Sequence, residues 1–330
     1  MSEVIALIGG ETLMGRELRD LLAVSPLGDS LRMIAAEDNQ TGVLSDLHSD
    51  PILLTALDAT SLKDAGAVIL AGTPEATQHA LRVNSGAPLV DLTHATEDHP
   101  RARLRAPLVE PHDFRVPHDA VQVIAHPAAI ALALLIGRVH QHYPIAQSLV
   151  HVFEPASERG LPGIEELQKQ TVNLLSFQPL PKKVFDSQLS FAMLARFGEE
   201  AQVHLEEVES RIERHLATLL AMNTVAPPMP SIRLLQAPVF HGHSFSVWLA
   251  FEGAAPSVEQ MEELFKTEPF DLRDTTSEPP NNVAIAGQGG VAVGAISPDR
   301  NRSNALWLWM ASDNVRLAAE NALAVVKEVI

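Results

Sequence analysis

The chain has 330 residues, 46% of them apolar, and 24 basic against 41 acidic side chains give it a formal charge of −17. That length predicts two domains of ordinary size, and that charge argues against nucleic acid and anionic membrane, both of which need clustered Lys and Arg. The absence of cysteine excludes disulfides, thiolate metal sites and thiol catalysis together. The opening MSEVIALIGG lacks the basic flank and long apolar core of a signal peptide, and AAIALALLIG is about half of a membrane span, so a cytoplasmic protein is expected. The densest basic stretch, RARLR at 101–105, is short and isolated.

In chain order, VIALIGG reads as a buried strand and MGRELRDLLAVS as a helix with Leu18, Leu21 and Leu22 on one face. LRMIAAE and GAVILAG are further strands, EATQHALRV is a helix, and APLVDL and AVQVIAHP are strands again. Continuous apolar strands alternating with helices predict a Rossmann-like parallel sheet covered on both faces. The middle differs. GIEELQKQTVNLL and residues 199–222 (EEAQVHLEEVESRIERHLATLLAM) have the pattern of amphipathic helices, and NTVAPPMPSI is a proline-rich break. Beyond it FHGHSFSVWLAFEG, NNVAIAG, GGVAVGAI and NALWLWMA alternate at period two, predicting strands of a mostly antiparallel sheet with one face on helices. In the last of these, Ala305, Trp307 and Trp309 share one face and Leu306, Leu308 and Met310 the other, so both faces require burial, by the chain's own helices or by a second subunit. A final helix is capped by Ser312 or Asp313. The expected fold is α/β: a Rossmann-like domain over 1–127, completed by the helix 312–330, and an α+β domain over 128–311.

The first strand runs into GGETLMG, where Gly9 and Gly15 bracket a turn that enters a helix. In a dinucleotide fold such glycines allow a tight turn and seat a pyrophosphate on helix N–H groups. Thr12 replaces the middle glycine of that fingerprint and would crowd the phosphate. Glu37-Asp38 ends the second strand, where an acid holds a ribose 2′-OH and repels a 2′-phosphate. The candidate cofactor contacts are Gly9, Gly10, Thr12, Leu13, Met14, Gly15, Glu37 and Gly72, with NAD expected over NADP. A glycine turn that merely joins strand to helix accounts for the same glycines, and both readings stand at this point.

Further landmarks follow in order: LVDLT at 89–93, VIAHPAA at 123–129, GIEELQKQT at 163–171, PVFHGHS at 238–244 and LWLWMASDNVR at 306–316. With the glycine turn they run through essentially the whole chain, which resembles the aspartate-semialdehyde dehydrogenase family, and within it most closely the USG-1 type homologues. The resemblance implies a Rossmann domain joined to a dimerising α+β domain, with the last helix folded back onto the Rossmann half. It also implies an NAD(P)-dependent reductive dephosphorylation of an acyl phosphate through a cysteine thioester, in an Asn-Pro-Asn-Cys type segment. Here that cysteine falls on Ala129, and His126 and Ala128 replace the two asparagines. The catalytic histidine maps onto His243, the substrate-carboxylate arginine onto Gln236, the phosphate-binding arginine near Glu97, and an active-site glutamine onto Glu154. What the resemblance implies for this chain is a homodimer that has lost the parent reaction and binds a small ligand or regulates, by itself or in a mixed dimer with an active paralogue.

The residues themselves allow other chemistry. His241 and His243 alternate and would share a face of a regular strand. His126, Glu154 and His243 form a set able to bind zinc or to act as acid and base, although hydrogen-bonded polar residues in a vacated cleft are the plainer expectation, and no metal site is assigned. An oxidoreductase or acid–base enzyme of changed substrate, using His243 and Glu154, is the alternative function. Ser157 and Ser244 lie in no Gly-x-Ser-x-Gly elbow. Arg159 and Lys169 are candidate anion contacts, Lys169 more simply a solvated helix residue, and Trp307 and Trp309 are expected in core or interface packing, with a cofactor stack the second reading.

Overall fold

The computed structural model describes residues 4–28, 31–37, 40–42, 44–47, 50–84 and 86–330. The chain divides into two units, residues 1–125 with 318–330, and residues 126–317.

The first unit begins with β1 (Val4–Ile8), α1 (Leu13–Ala23), β2 (Leu31–Ile34) and a hairpin of β3 (Leu44–Leu47) and β4 (Asp50–Leu53). It continues through β5 (Ala65–Leu70), α2 (Pro74–Val83), β6 (Leu89–Asp91), β7 (Ala102–Arg105) and β8 (Val121–Ile124). Six strands form a parallel sheet in the order β2-β1-β5-β6-β8-β7. Ile5, Leu7 and Ile69 pack with Leu18 and Leu22 of α1 and with Ala319, Ala322 and Val326 of the last helix. On the opposite face Ala6, Ile8, Val68 and Leu70 meet Ala76 and Ala80 of α2. Burial on both faces is why these strands read as unbroken apolar runs.

Strand β7 is the isolated basic stretch of the sequence, and it forms the sheet edge. Arg105 is almost wholly buried there, its Nε and Nη2 donating to the two carboxylate oxygens of Glu110 at 2.9 and 3.0 Å, with Gln122 and Glu328 as further partners. Of the three arginines, Arg105 is thus spent on an internal ion pair, while Arg101 and Arg103 stay exposed.

The second unit opens with α3 (Pro127–His142), β9 (Ile145–Glu154), a 3-10 turn at Ala156–Arg159, α4 (Gly160–Leu175) and α5 (Leu205–Leu220). Then follow β10 (Ser231–Gln236), β11 (His243–Phe251), α6 (Val258–Glu263), β12 (Phe270–Arg273), β13 (Val291–Pro298), β14 (Ala305–Ser312) and α7 (Asn314–Val329), which runs on into the first unit. The sheet order is β10-β9-β11-β14-β13-β12. The pairs β9–β11, β11–β14 and β13–β14 are antiparallel, and β10 and β12 join parallel to β9 and β13. Val150, Val152, Phe245, Val247, Leu249, Leu308 and Met310 make a fully buried inner face.

Several sequence expectations are corrected here. NNVAIAG is a turn, because Asn281 Oδ1 accepts the N–H groups of Val283 and Ala284 at 3.0 and 2.8 Å and curls the chain out of any ladder. The helix expected from residue 199 begins at Leu205, where its buried stripe begins; ahead of it Glu200 N–H is drawn to Asp186 Oδ2 at 3.0 Å. Strands β9, β10 and β12 were not expected, and β10 starts inside the proline-rich break. Of the two candidate caps, Asp313 takes the N–H groups of Val315 and Arg316 at 2.9 and 3.0 Å, while Ser312 remains in β14.

Candidate functional site

Gln236 and Glu154, the last residues of β10 and β9, are register partners, as are His243, the first of β11, and Ser312, the last of β14. Strand alternation carries the inner face from Val152 to Glu154, from Leu234 to Gln236, from Phe245 to His243 and from Met310 to Ser312. A polar row thus crosses four neighbouring strands at one end of an otherwise aliphatic face, with all four residues 0% exposed. Gln236 Oε1, Glu154 Oε2, both ring nitrogens of His243 and Ser312 Oγ have no hydrogen-bond partner. Such atoms are costly to bury unpaired, so a set of them in one row marks a site rather than a core.

The 3-10 turn after β9 closes over this row. Backbone N–H groups of Ala156 and Ser157 bond to Val239 and Phe240 carbonyls at 2.8 and 2.9 Å, pinning the turn to the chain entering β11. Arg159 Nη2 then donates to Glu154 Oε1 at 2.6 Å. Glu158 accepts from Asn314 Nδ2 at 2.8 Å, and Asn314 Oδ1 in turn accepts from Ser157 Oγ at 3.1 Å and Gly242 N–H at 3.2 Å. Glu158 also faces two imidazoles, with His126 Nε2 at 3.5 Å and His243 Nε2 at 3.7 Å. His126 caps α3, its Nδ1 accepting Ala128 N–H at 3.2 Å, which places its proton on Nε2 toward Glu158.

Burial dominates the electrostatics. It lowers His243 to about 4, so the ring is neutral at pH 7. It raises the Glu154 carboxyl above its ordinary range, against the pull of Arg159. Burial also works to raise Glu158, but the charge and hydrogen bond of His126, with help from His243 and Arg159, outweigh it and hold that carboxyl well below the usual range.

Of the residues singled out from sequence, His126, Glu154, Gln236, His243 and Arg159 meet at this end of the sheet, with Ala129 fully buried in the first turn of α3. His241 does not accompany His243: Gly242 adopts φ 81°, so the strand begins only at His243 and the shared face is lost. Lys169 is solvated and paired with Glu165 four residues earlier. Ser244 pairs with Phe153 on the outer side of β11, and Glu97 belongs to the first unit, in the loop after β6. Glu158, Asn314 and Ser312 were missed as site residues; no period links them, and only the turn and the strand register bring them in.

In the first unit Gly9, at φ 83°, lies so close to Gly72 that a Cβ on Gly9 would strike the Gly72 backbone, while a Cβ on Gly72 would meet Ala36 and one on Gly15 would strike Gly9 O. Gly10 packs against Met33 in the same way. Thr12 is the N-cap of α1, whose first residues are Leu13 and Met14; its Oγ1 accepts Gly15 N–H at 3.0 Å and donates to Ala71 O at 2.7 Å. The hydroxyl is thus folded into the turn. Beside it a cleft of about 590 Å³ is lined by Ala36, Glu37, Thr73, His79 and Arg82, among others. Asp38 lies outside the described residues.

Residues 136–317 match the family described as semialdehyde dehydrogenase, dimerisation domain, a span that ends where the second unit ends. The chain belongs to the semialdehyde dehydrogenase family. Over 99% of this chain and 97% of the relative, it is 23% identical to an aspartate-semialdehyde dehydrogenase of Rickettsia bellii. A USG-1 protein homolog of Azotobacter vinelandii is 27% identical over 94% of this chain and 93% of its own length, so both kinds of family member match at similar distance. A solved structure described as a probable aspartate-semialdehyde dehydrogenase from Pseudomonas aeruginosa superposes with a TM-score of 0.84 at 23% identity, over 100% of this chain and 98% of that one. That likeness shares the two-part α/β fold. Among the described residues no helix is long and apolar enough to cross a membrane.

Proposed function

We propose that this family member does not carry out the cysteine-dependent reductive dephosphorylation and serves instead as a ligand-binding or regulatory homodimer, grouped by function with the USG-1 type homologues. The observation that carries this reading is Ala129, a buried methyl group where the resemblance puts the nucleophile, in a chain with no cysteine. The anion clamps are also gone. Gln236 gives its amide N–H₂ to the carbonyls of Glu154 and Ala237, at 2.8 and 3.1 Å, and has no charge to offer a carboxylate. The test is an assay with aspartate semialdehyde, phosphate and NAD or NADP, on protein made in a host lacking its own dehydrogenase. Phosphate-dependent turnover would overturn the reading, and co-purification with an active family member would favour a mixed dimer.

A nucleotide fits the first unit on two observations: the close glycine turn at the mouth of α1 and the neighbouring cleft at the end of β2. Gly9, Gly10, Thr12, Leu13, Met14, Gly15 and Gly72 would hold the phosphates and Glu37 the ribose, with NAD favoured over NADP. When bound, the nicotinamide supplies hydride transfer. One observation favours a second reading, acid–base catalysis on another substrate: His243, buried and neutral, leaves both nitrogens unpartnered within reach of Glu158 and on the same face as Glu154. Cytoplasmic localisation follows from the sequence reading and stays part of the proposal.

A further inference from the structure

Where β9 ends and α3 begins, the fold gathers donor atoms that the hydrogen bonding around them does not use up. We propose that His126 Nε2, Glu154 Oε2 and one Glu158 oxygen hold a divalent metal ion of the zinc class. The proposal rests on the reading of this cleft as no longer an acyl-transfer centre. The three side chains each present a ligand atom within 4.8 Å of the other two. His126 and Glu154 are buried. Glu154 gives Oε1 to Arg159 and keeps Oε2 without a hydrogen-bond partner. An acceptor left so inside a protein is costly until something arrives to use it. Beside it His243, fully buried, has both ring nitrogens unpartnered and turns Nε2 toward Glu158 Oε1 at 3.7 Å.

Distance and donor type favour an ion over a simple ion pair. His126 Nε2 lies 3.5 Å from Glu158 Oε2, long against the ~2.7–3.2 Å of an N–H···O hydrogen bond. Ligands on a tetrahedral zinc, with bonds of about 2.0–2.1 Å, stand ~3.3 Å apart, close to that spacing. One imidazole with two carboxylates is an N/O set of the kind zinc takes, whereas magnesium and calcium want oxygen alone. Three protein ligands leave a fourth position, where a water can donate to His243. Coordination moves the His126 proton from Nε2 to Nδ1 and so gives up the N-cap bond from Ala128. Pro127 at the head of α3 keeps the helix start preset without that bond.

The experiment is calorimetric titration of the full-length protein, first stripped with chelator, with zinc, magnesium and calcium chloride in turn. One zinc per chain should bind, with magnesium and calcium weaker by about a hundredfold or more. His126→Gln and Glu158→Gln should each lower zinc affinity by about a hundredfold, since even an outer-shell partner is worth about ten- to hundredfold. His241→Gln, outside the row, should leave it unchanged. Cobalt(II) chloride added to the wild type should give the visible bands of a four-coordinate ion, displaced by one equivalent of zinc; this arm stands even if a variant does not fold. No saturable zinc binding, equal binding of magnesium, an octahedral cobalt spectrum at saturation, or zinc affinity that survives His126→Gln would overturn the proposal. The outcome is separable from the dehydrogenase assay: turnover there overturns the non-catalytic reading, whereas a flat zinc titration without turnover overturns only this metal site.

Discussion

Arg159 donates to Glu154 at 2.6 Å, and the carboxylate it holds is 0% exposed. Breaking one member of such a buried pair costs ~3–5 kcal/mol, so the site is committed to this pairing and not to an incoming anion. Restoring the thiol alone leaves that commitment in place. Ala129→Cys should therefore remain without phosphate-dependent turnover of aspartate semialdehyde, even though a cysteine in the first turn of α3 gains some thiolate character from the helix N-terminus. A stopped assay for NADH or NADPH formation checks this; measurable turnover would mean that Gln236 and Glu154 are no obstacle.

In the proposed nucleotide site, preference should depend on Glu37, which lines the cleft at the end of β2 together with Arg82 and His79. NAD should bind more tightly than NADP in paired titrations at one salt concentration. Glu37→Ser should tighten NADP by about tenfold or more, the scale of removing a like-charge contact near a protein surface. NADP binding as well as NAD in the wild type would show that Arg82 and His79, not Glu37, govern that end of the cleft.

Stability should depend on pH through His243. Its folded value of about 4 lies below the ordinary 6.5, so between these the unfolded chain binds more protons and stability falls as pH drops from about 6.5 toward 4. The contribution is on the order of 3 kcal/mol across that window. Glu154, raised by burial, works in the opposite sense, and Glu158 and other acids lose stability at lower pH still. His243→Gln removes only the imidazole titration. Urea midpoints measured from pH 7 to pH 4 should slope less steeply in that variant; parallel slopes would show that His243 is solvated and charges freely.

The outer face of the second sheet predicts the assembly. Leu149, Trp248 and Trp307 are register neighbours there, and Leu149 and Trp307 are each 37% exposed although Leu306, Leu308 and Met310 opposite are buried. Trp248 and Trp307 both donate to Asp299, yet the outer face stays partly open within one chain. Light scattering behind a sizing column should give about twice 35.7 kDa. Trp307→Arg should shift the mass toward the monomer without unfolding the chain, since that side chain is partly open to solvent in one subunit. A wild-type monomer at micromolar concentration would defeat this.

Much of the fold was legible in the sequence because one-dimensional periodicity is enough where burial is uniform. The strands of the first sheet are apolar on both faces, so β1, β5, β6 and β8 were visible as runs, and α1 and α4 as stripes. Composition alone removed the cysteine chemistry, and family blocks pointed to Ala129, His126, Glu154, Gln236 and His243 as neighbours. Tertiary structure decided the rest. Strand β10 was hidden because its partner is β9, parallel and from 82 residues earlier at their register-matched ends, Gln236 and Glu154. His241 left the site because one glycine at φ 81° ends the alternation before His243. Glu158 and Asn314 entered it because a 3-10 turn and a helix start, 156 residues apart, face each other across a 2.8 Å hydrogen bond. A sequence pattern records which side of an element is buried; which charges share one buried volume depends on strand register and turn geometry, and those are set by contacts between segments far apart in the chain.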